Sequence, residues 1–89
     1  MFQVHLMVSG KVQGVYYRAS CLEMAQELGL TGWVKNLSNG NVEILAQGEK
    51  EKLEKLIEWC KKGPSGAMVS NINVQWDSIQ KKFNDFHIQ

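Results

Sequence analysis

The sequence lacks most of what ordinarily carries catalysis. Only two histidines are present, His5 and His87, and neither stands at metal-ligand spacing from a cysteine or carboxylate. The two cysteines, Cys21 and Cys60, fall on the apolar sides of separate helical patterns and read as small buried hydrophobes. Neither a metal site nor a cofactor is expected. Charge excess of one sign is also missing: ten Lys and Arg against nine Asp and Glu leave a net charge of +1. That is no footprint for a nucleic-acid backbone or an anionic membrane. No apolar run approaches membrane-spanning length, and Met1 leads into a strand pattern rather than a signal peptide. A cytoplasmic location follows as an expectation. Repeats, linkers and low-complexity stretches are absent as well.

What is present fits one small domain over residues 1–89, with 44% apolar and 21% charged residues. Phe2, Val4, Leu6 and Val8 alternate with polar positions and predict a first strand with one apolar face. His5 falls on the other face, as a surface or edge residue. From Arg18 to Leu28 the residues Cys21, Leu22, Ala25 and Leu28 recur at helical spacing, and Gly29 closes that helix. Leu30 to Leu37 and Val42 to Gln47 predict two strands joined by an Asn-Gly turn, an antiparallel hairpin. A second helix runs to about Lys62, with Leu53, Leu56, Ile57 and Cys60 as its buried stripe and Trp59 at the sheet margin. Glu51 with Lys55 and Glu58 with Lys62 are one turn apart on its solvated side. Gly63-Pro64 stops it, Met68 to Trp76 alternates as another strand, and Phe83, Phe86 and Ile88 suggest a short last one.

The order β-α-β-β-α-β predicts an α+β, ferredoxin-like sandwich: an antiparallel sheet with two helices on one face and the first strand inside, beside the third and fourth. That fold hosts many functions and decides none.

The connection from the first strand to the first helix carries more information. It reads Gly10-Lys11-Val12-Gln13-Gly14-Val15-Tyr16-Tyr17-Arg18. A turn feeding a helix N-terminus presents unpaired N–H groups reinforced by the helix dipole. Gly10 and Gly14 permit backbone angles closed to other residues, and Arg18 adds a fork matched to two phosphate oxygens. The amides of Gln13, Gly14, Val15, Tyr16, Tyr17 and Arg18, with the Arg18 side chain, form a candidate phosphate cradle. The stretch lacks the Gly-Lys-Ser/Thr ending of a nucleotide loop and the dinucleotide glycine spacing, which favours a plain phosphate or a small phosphorylated metabolite. A glycine turn with a solvated arginine is the plain alternative. Asn36 offers a similar choice: polar within a strand, it either starts the hairpin turn early or serves a site.

Together the two stretches resemble the acylphosphatase family. The first matches its Gly-x-Val-Gln-Gly-Val-x-x-Arg signature. The second, Gly32-Trp33-Val34-Lys35-Asn36 followed by Gly40-Asn41-Val42-Glu43, matches its Gly-Trp-Val-x-Asn…Gly-x-Val-Glu signature. The similarity spans the chain. Departures are Tyr16 and Tyr17 where phenylalanine is frequent, Lys35 for a common arginine, and Asn39 for a frequent aspartate. The resemblance implies an enzyme, most simply monomeric, that hydrolyses the carboxyl–phosphate bond of small acyl phosphates. Inorganic phosphate would be product and inhibitor. It implies that Arg18 and the loop amides bind the phosphoryl group and that Asn36 holds the attacking water.

Two other readings compete. RNA-recognition domains share the fold, but the strand Val42 to Gln47 has no aromatic residue and carries an acid. A phosphate-sensing domain like that of hydrogenase-maturation carbamoyltransferases would share the loop and arginine, though such domains occur within much larger chains.

Overall fold

A computed structural model describes residues 1–89. Its elements are β1 (Phe2–Lys11), α1 (Tyr17–Glu27), β2 (Thr31–Asn36), β3 (Val42–Gly48), α2 (Lys50–Cys60), β4 (Met68–Asp77) and β5 (Phe86–Ile88). The strands form one sheet in the order β4-β1-β3-β2-β5, with β1 between β3 and β4. This is the expected ferredoxin-like α+β fold.

Alternation decides the face. Val4, Leu6 and Val8 stand opposite Ala46, Ile44 and Val42 on one side and Trp76, Val74 and Ile72 on the other. Val34 continues the row beyond Ile44. Tyr17, Cys21 and Ala25 of α1 and Leu53, Leu56, Ile57 and Cys60 of α2 are buried with these strand residues in one core. Burying each large aliphatic side chain there stabilises by roughly 1.5–3 kcal/mol. Phe2, expected on the buried face, is half exposed at the strand end, its ring edge-on to Trp76 at 6.4 Å.

Helix ends follow from local chemistry. At the end of α1, Gly29 takes φ 71°, its N–H reaching the Gln26 carbonyl and the Leu30 N–H the Ala25 carbonyl, a Schellman closure. At the end of α2, Pro64 has no N–H for the carbonyl of Cys60, four residues back. The Tyr17 phenol donates to it instead, at 2.7 Å. The Tyr17 ring packs on Trp59 with centroids 5.2 Å apart, so Trp59 lies against the base of α1. Tyr17 therefore belongs to the core as well as to the loop.

The sheet is mixed, not antiparallel throughout, because β5 pairs parallel with β2. After β4 at one edge, residues 78–85 carry the chain to the opposite edge, where β5 begins. Gln47, 1% exposed, holds this crossing on the sheet face away from the helices. Its Nε2 donates to the carbonyl of Lys81 at 2.5 Å and to Gln3 Oε1 at 2.9 Å, while its Oε1 accepts the Phe83 N–H at 3.1 Å. Phe83 lies in the crossing and not in the last strand. On α2 the ion pair present is Lys61 with Glu58 at 2.8 Å; the expected Glu51–Lys55 and Glu58–Lys62 pairs do not form. The hairpin loop spans residues 37–41, with Leu37 in the loop rather than at the end of the strand, and is closed by Leu37 N–H to the Asn41 carbonyl at 2.8 Å. Both cysteines are buried and free.

Candidate functional site

Residues 12–16 connect β1 to the first turn of α1. Gly14 takes φ 76° and Tyr16 φ 65°, while Val15 between them is not in the left-handed region. Alternation of this kind turns successive N–H groups toward one centre, an anion nest. No N–H from Gln13 to Ala19 donates to a protein carbonyl or side chain. Tyr16 is the one non-glycine residue with positive φ, a conformation that costs roughly 1–2 kcal/mol and marks a position over-determined by its surroundings. Its side chain is thrown outward, 83% exposed.

A pocket of about 420 Å³ opens above this loop. Gly14, Tyr16, Tyr17 and Arg18 line it from the loop side and Asn36 from the end of β2. Val12, Ala19 and Ile88 complete its wall. Arg18 is half buried and pairs with no carboxylate of the chain, so its guanidinium fork is free to meet an anion. Asn36 shares the helix-facing side of the sheet with its register partner Val42. Its Oδ1 is buried and has no hydrogen-bond partner. An orphaned acceptor of this sort costs roughly 1–3 kcal/mol, which a fold tolerates where function uses the atom.

The structure thus brings Gly14, Tyr16, Tyr17, Arg18 and Asn36 to one pocket. Gln13 and Val15 do not line it. The Gln13 side chain turns away to the hairpin loop, its Nε2 2.7 Å from the Leu37 carbonyl and 2.9 Å from the Asn41 carbonyl. Val15 packs against the core and faces Gly66. The pattern places Ile88 in a last strand but not at the pocket, because that position depends on β5 lying parallel to β2, where Ile88 stands opposite Val34 and the Gln89 N–H binds the Val34 carbonyl at 2.9 Å.

Nucleophilic thiol chemistry has no support. Hydrogen bonding to Cys60 and then burial push the Cys21 thiol well above its ordinary pKa, so it is protonated at neutral pH. Burial, with Cys60 and Cys21 nearby, likewise drives the Tyr17 phenol far upward. No three His, Cys, Asp or Glu side chains cluster in a way that could hold a metal ion. No helix is long and apolar enough to cross a membrane.

Fold and site together define a small α+β protein with a loop of unpaired main-chain N–H groups at a helix N-terminus and a facing carboxamide. A family model described as Acylphosphatase matches residues 4–88. An acylphosphatase of Marinobacter nauticus is 56% identical over 82 residues, covering 92% of this chain and 89% of that one. The structure of an acylphosphatase from Coxiella burnetii superposes with a TM-score of 0.94 at 46% identity, over 99% of this chain and 92% of that one. That of Bacillus subtilis acylphosphatase superposes at 0.97 with 36% identity, over 100% and 99%. The chain belongs to the acylphosphatase family, a family of hydrolases.

Proposed function

We propose that the chain hydrolyses small acyl phosphates to a carboxylate and inorganic phosphate, without a metal, in the pocket between residues 12–19 and Asn36. The loop amides and the Arg18 fork hold the phosphoryl oxygens. Asn36 holds the attacking water through its side-chain amide and sets the water's oxygen in line with the bond to be broken. Water attacks phosphorus, the bond from phosphorus to the carboxyl oxygen breaks, and the carboxylate departs with the bonding pair. The proton lost by the water ends on phosphate or solvent.

So few groups suffice because of the leaving group. A carboxylate is stable at neutral pH, so no general acid is required. Phosphoryl transfer is commonly loose, with little bond formation to the nucleophile, so no strong base is required either. What the protein must supply is stabilisation of charge on the equatorial oxygens and placement of water. The observation that carries this reading is that Asn36, whose Oδ1 is buried and unpartnered, lines the same pocket as Arg18, whose guanidinium is unpaired.

The test is release of phosphate from acetyl phosphate, carbamoyl phosphate and 1,3-bisphosphoglycerate with EDTA present. Turnover that survives the chelator supports the reading. Binding of phosphate with no turnover of any of the three would instead make the domain a phosphate sensor, and loss of turnover in EDTA would overturn the metal-free mechanism.

A further inference from the structure

The proposed cradle and the proposed water-holder lie on elements that do not touch in the sheet. The loop follows β1 and Asn36 ends β2, with β3 between those strands. Something must fix their separation, because in-line attack tolerates little error: misplacement by about 1 Å can cost about 100-fold in rate. We propose that Gln13 is a positioning residue that bolts the phosphate loop to the end of the hairpin and so sets Asn36 at its working distance. This rests on the role given to Asn36 above.

The geometry is specific. Gln13 Nε2 donates to the Leu37 carbonyl at 2.7 Å and to the Asn41 carbonyl at 2.9 Å. Leu37 follows Asn36 in the chain, and Asn41 precedes Val42, the register partner of Asn36. The Asn41 carbonyl also accepts the Leu37 N–H at 2.8 Å. The carboxamide therefore grips the loop end of the hairpin at both its first and last loop residues, immediately beyond Asn36. Both of its N–H groups are used, and both acceptors are main-chain carbonyls, which cannot turn round to suit a different partner. The other long polar or aromatic side chains of the loop are committed elsewhere: the Tyr17 phenol binds Cys60, Arg18 faces the pocket and Tyr16 points outward. A role in phosphate contact would need only the Gln13 amide N–H; the side-chain bonds point away from the pocket.

The chemistry dictates the variants. Gln13→Met keeps length and approximate volume but removes both donors. Gln13→Glu places a carboxylate against two carbonyls at neutral pH, and a single donor returns when the carboxyl protonates. Turnover of acetyl phosphate and inhibition by inorganic phosphate are measured for both, beside Asn36→Ala and the Gln13→Met/Asn36→Ala double variant. Gln13→Met should lower kcat about 10- to 100-fold while the phosphate inhibition constant moves less than about threefold. Because Gln13 acts through Asn36, the double variant should be no more than about twofold slower than Asn36→Ala alone. Gln13→Glu should be as slow as Gln13→Met at pH 8 and recover several-fold, by roughly an order of magnitude at most, toward pH 5.

A kcat for Gln13→Met within about twofold of the parent overturns the proposal. So does a phosphate inhibition constant that rises in step with the loss of kcat, which would place Gln13 in the cradle itself. Full additivity in the double variant overturns it too, since Gln13 would then act independently of Asn36. Should Gln13→Met not fold, the pH profile of Gln13→Glu decides alone, a flat profile contradicting the proposal. Full activity of Asn36→Ala would sink the reading underneath; a slow Asn36→Ala beside an unimpaired Gln13→Met would sink this inference only.

Discussion

Tyr17→Phe tests how the loop that leads into α1 is anchored to the rest of the molecule. The substitution removes one oxygen, which donates at 2.7 Å to the Cys60 carbonyl in a buried site. That carbonyl has no alternative donor, because the residue that would normally supply one is Pro64. Loss of the phenol should therefore cost the penalty of an orphaned buried acceptor, about 1–3 kcal/mol. For 89 residues the unfolding entropy is about 190 cal/mol/K, so each kcal/mol moves Tm by about 5 °C and the expected fall is about 5–15 °C. A second signature appears at alkaline pH. In the folded state the Tyr17 phenol and the Cys21 thiol stay protonated above their ordinary values of 10.0 and 9.0. The unfolded chain releases those protons from about pH 9 upward, so the native state binds more protons and stability must fall as pH rises. Each group contributes roughly 1.4 kcal/mol per pH unit once its unfolded form is fully ionised. Tyr17→Phe removes one of the two contributions, so above pH 10 the variant should lose stability about half as steeply through these groups. Thermal unfolding followed by circular dichroism from pH 7 to 11 measures both effects. A neutral-pH Tm within about 1 °C of the parent, or an unchanged alkaline slope, would refute the reasoning.

Further variants probe other parts of the account. Arg18→Lys keeps the charge but not the fork, and should lower kcat/KM for acetyl phosphate at least about 100-fold, with weaker phosphate inhibition; parent-like turnover would exclude the forked contact. Gln47→Leu removes the bonds that hold residues 78–85 across the sheet and should cost about 2–4 kcal/mol by urea unfolding, with early protease cleavage in that crossing. Gly32→Ala places a Cβ into the Leu45 carbonyl at φ 135°, where side chains are disfavoured, and should cost about 3 kcal/mol or more. Soluble Gly32→Ala with parent stability would show that β2 can shift away from β3 at that point.

Much of this is legible in the amino-acid sequence, and the reason is patterning. Val4, Leu6 and Val8 alternate strictly, as do Val42, Ile44 and Ala46, so the buried face of the inner strands follows from period two. The loop signature and Asn36 stood out because glycine and asparagine occupy positions where local propensity argues against them. Other features depended on partners remote in sequence. The parallel seat of β5 arises from a glutamine, Gln47, that looks like any polar strand residue until its amide is seen gripping Lys81 and Phe83. Tyr17 reads as a loop aromatic because nothing local reveals that its hydroxyl reaches the Cys60 carbonyl, forty-three residues away, in place of the N–H that Pro64 lacks. The Gln13 side chain carried the same ambiguity: the motif marks the residue, but only the fold brings Leu37 and Asn41 within its reach.

The central claim is that Asn36 sets the attacking water while the loop and Arg18 hold the phosphoryl group. Steady-state hydrolysis of acetyl phosphate by Asn36→Ala, with EDTA and with inorganic phosphate as inhibitor, addresses it most directly. The account predicts a kcat lowered about 100- to 1,000-fold with a phosphate inhibition constant close to that of the parent. A variant that turns over at the parental rate would contradict it.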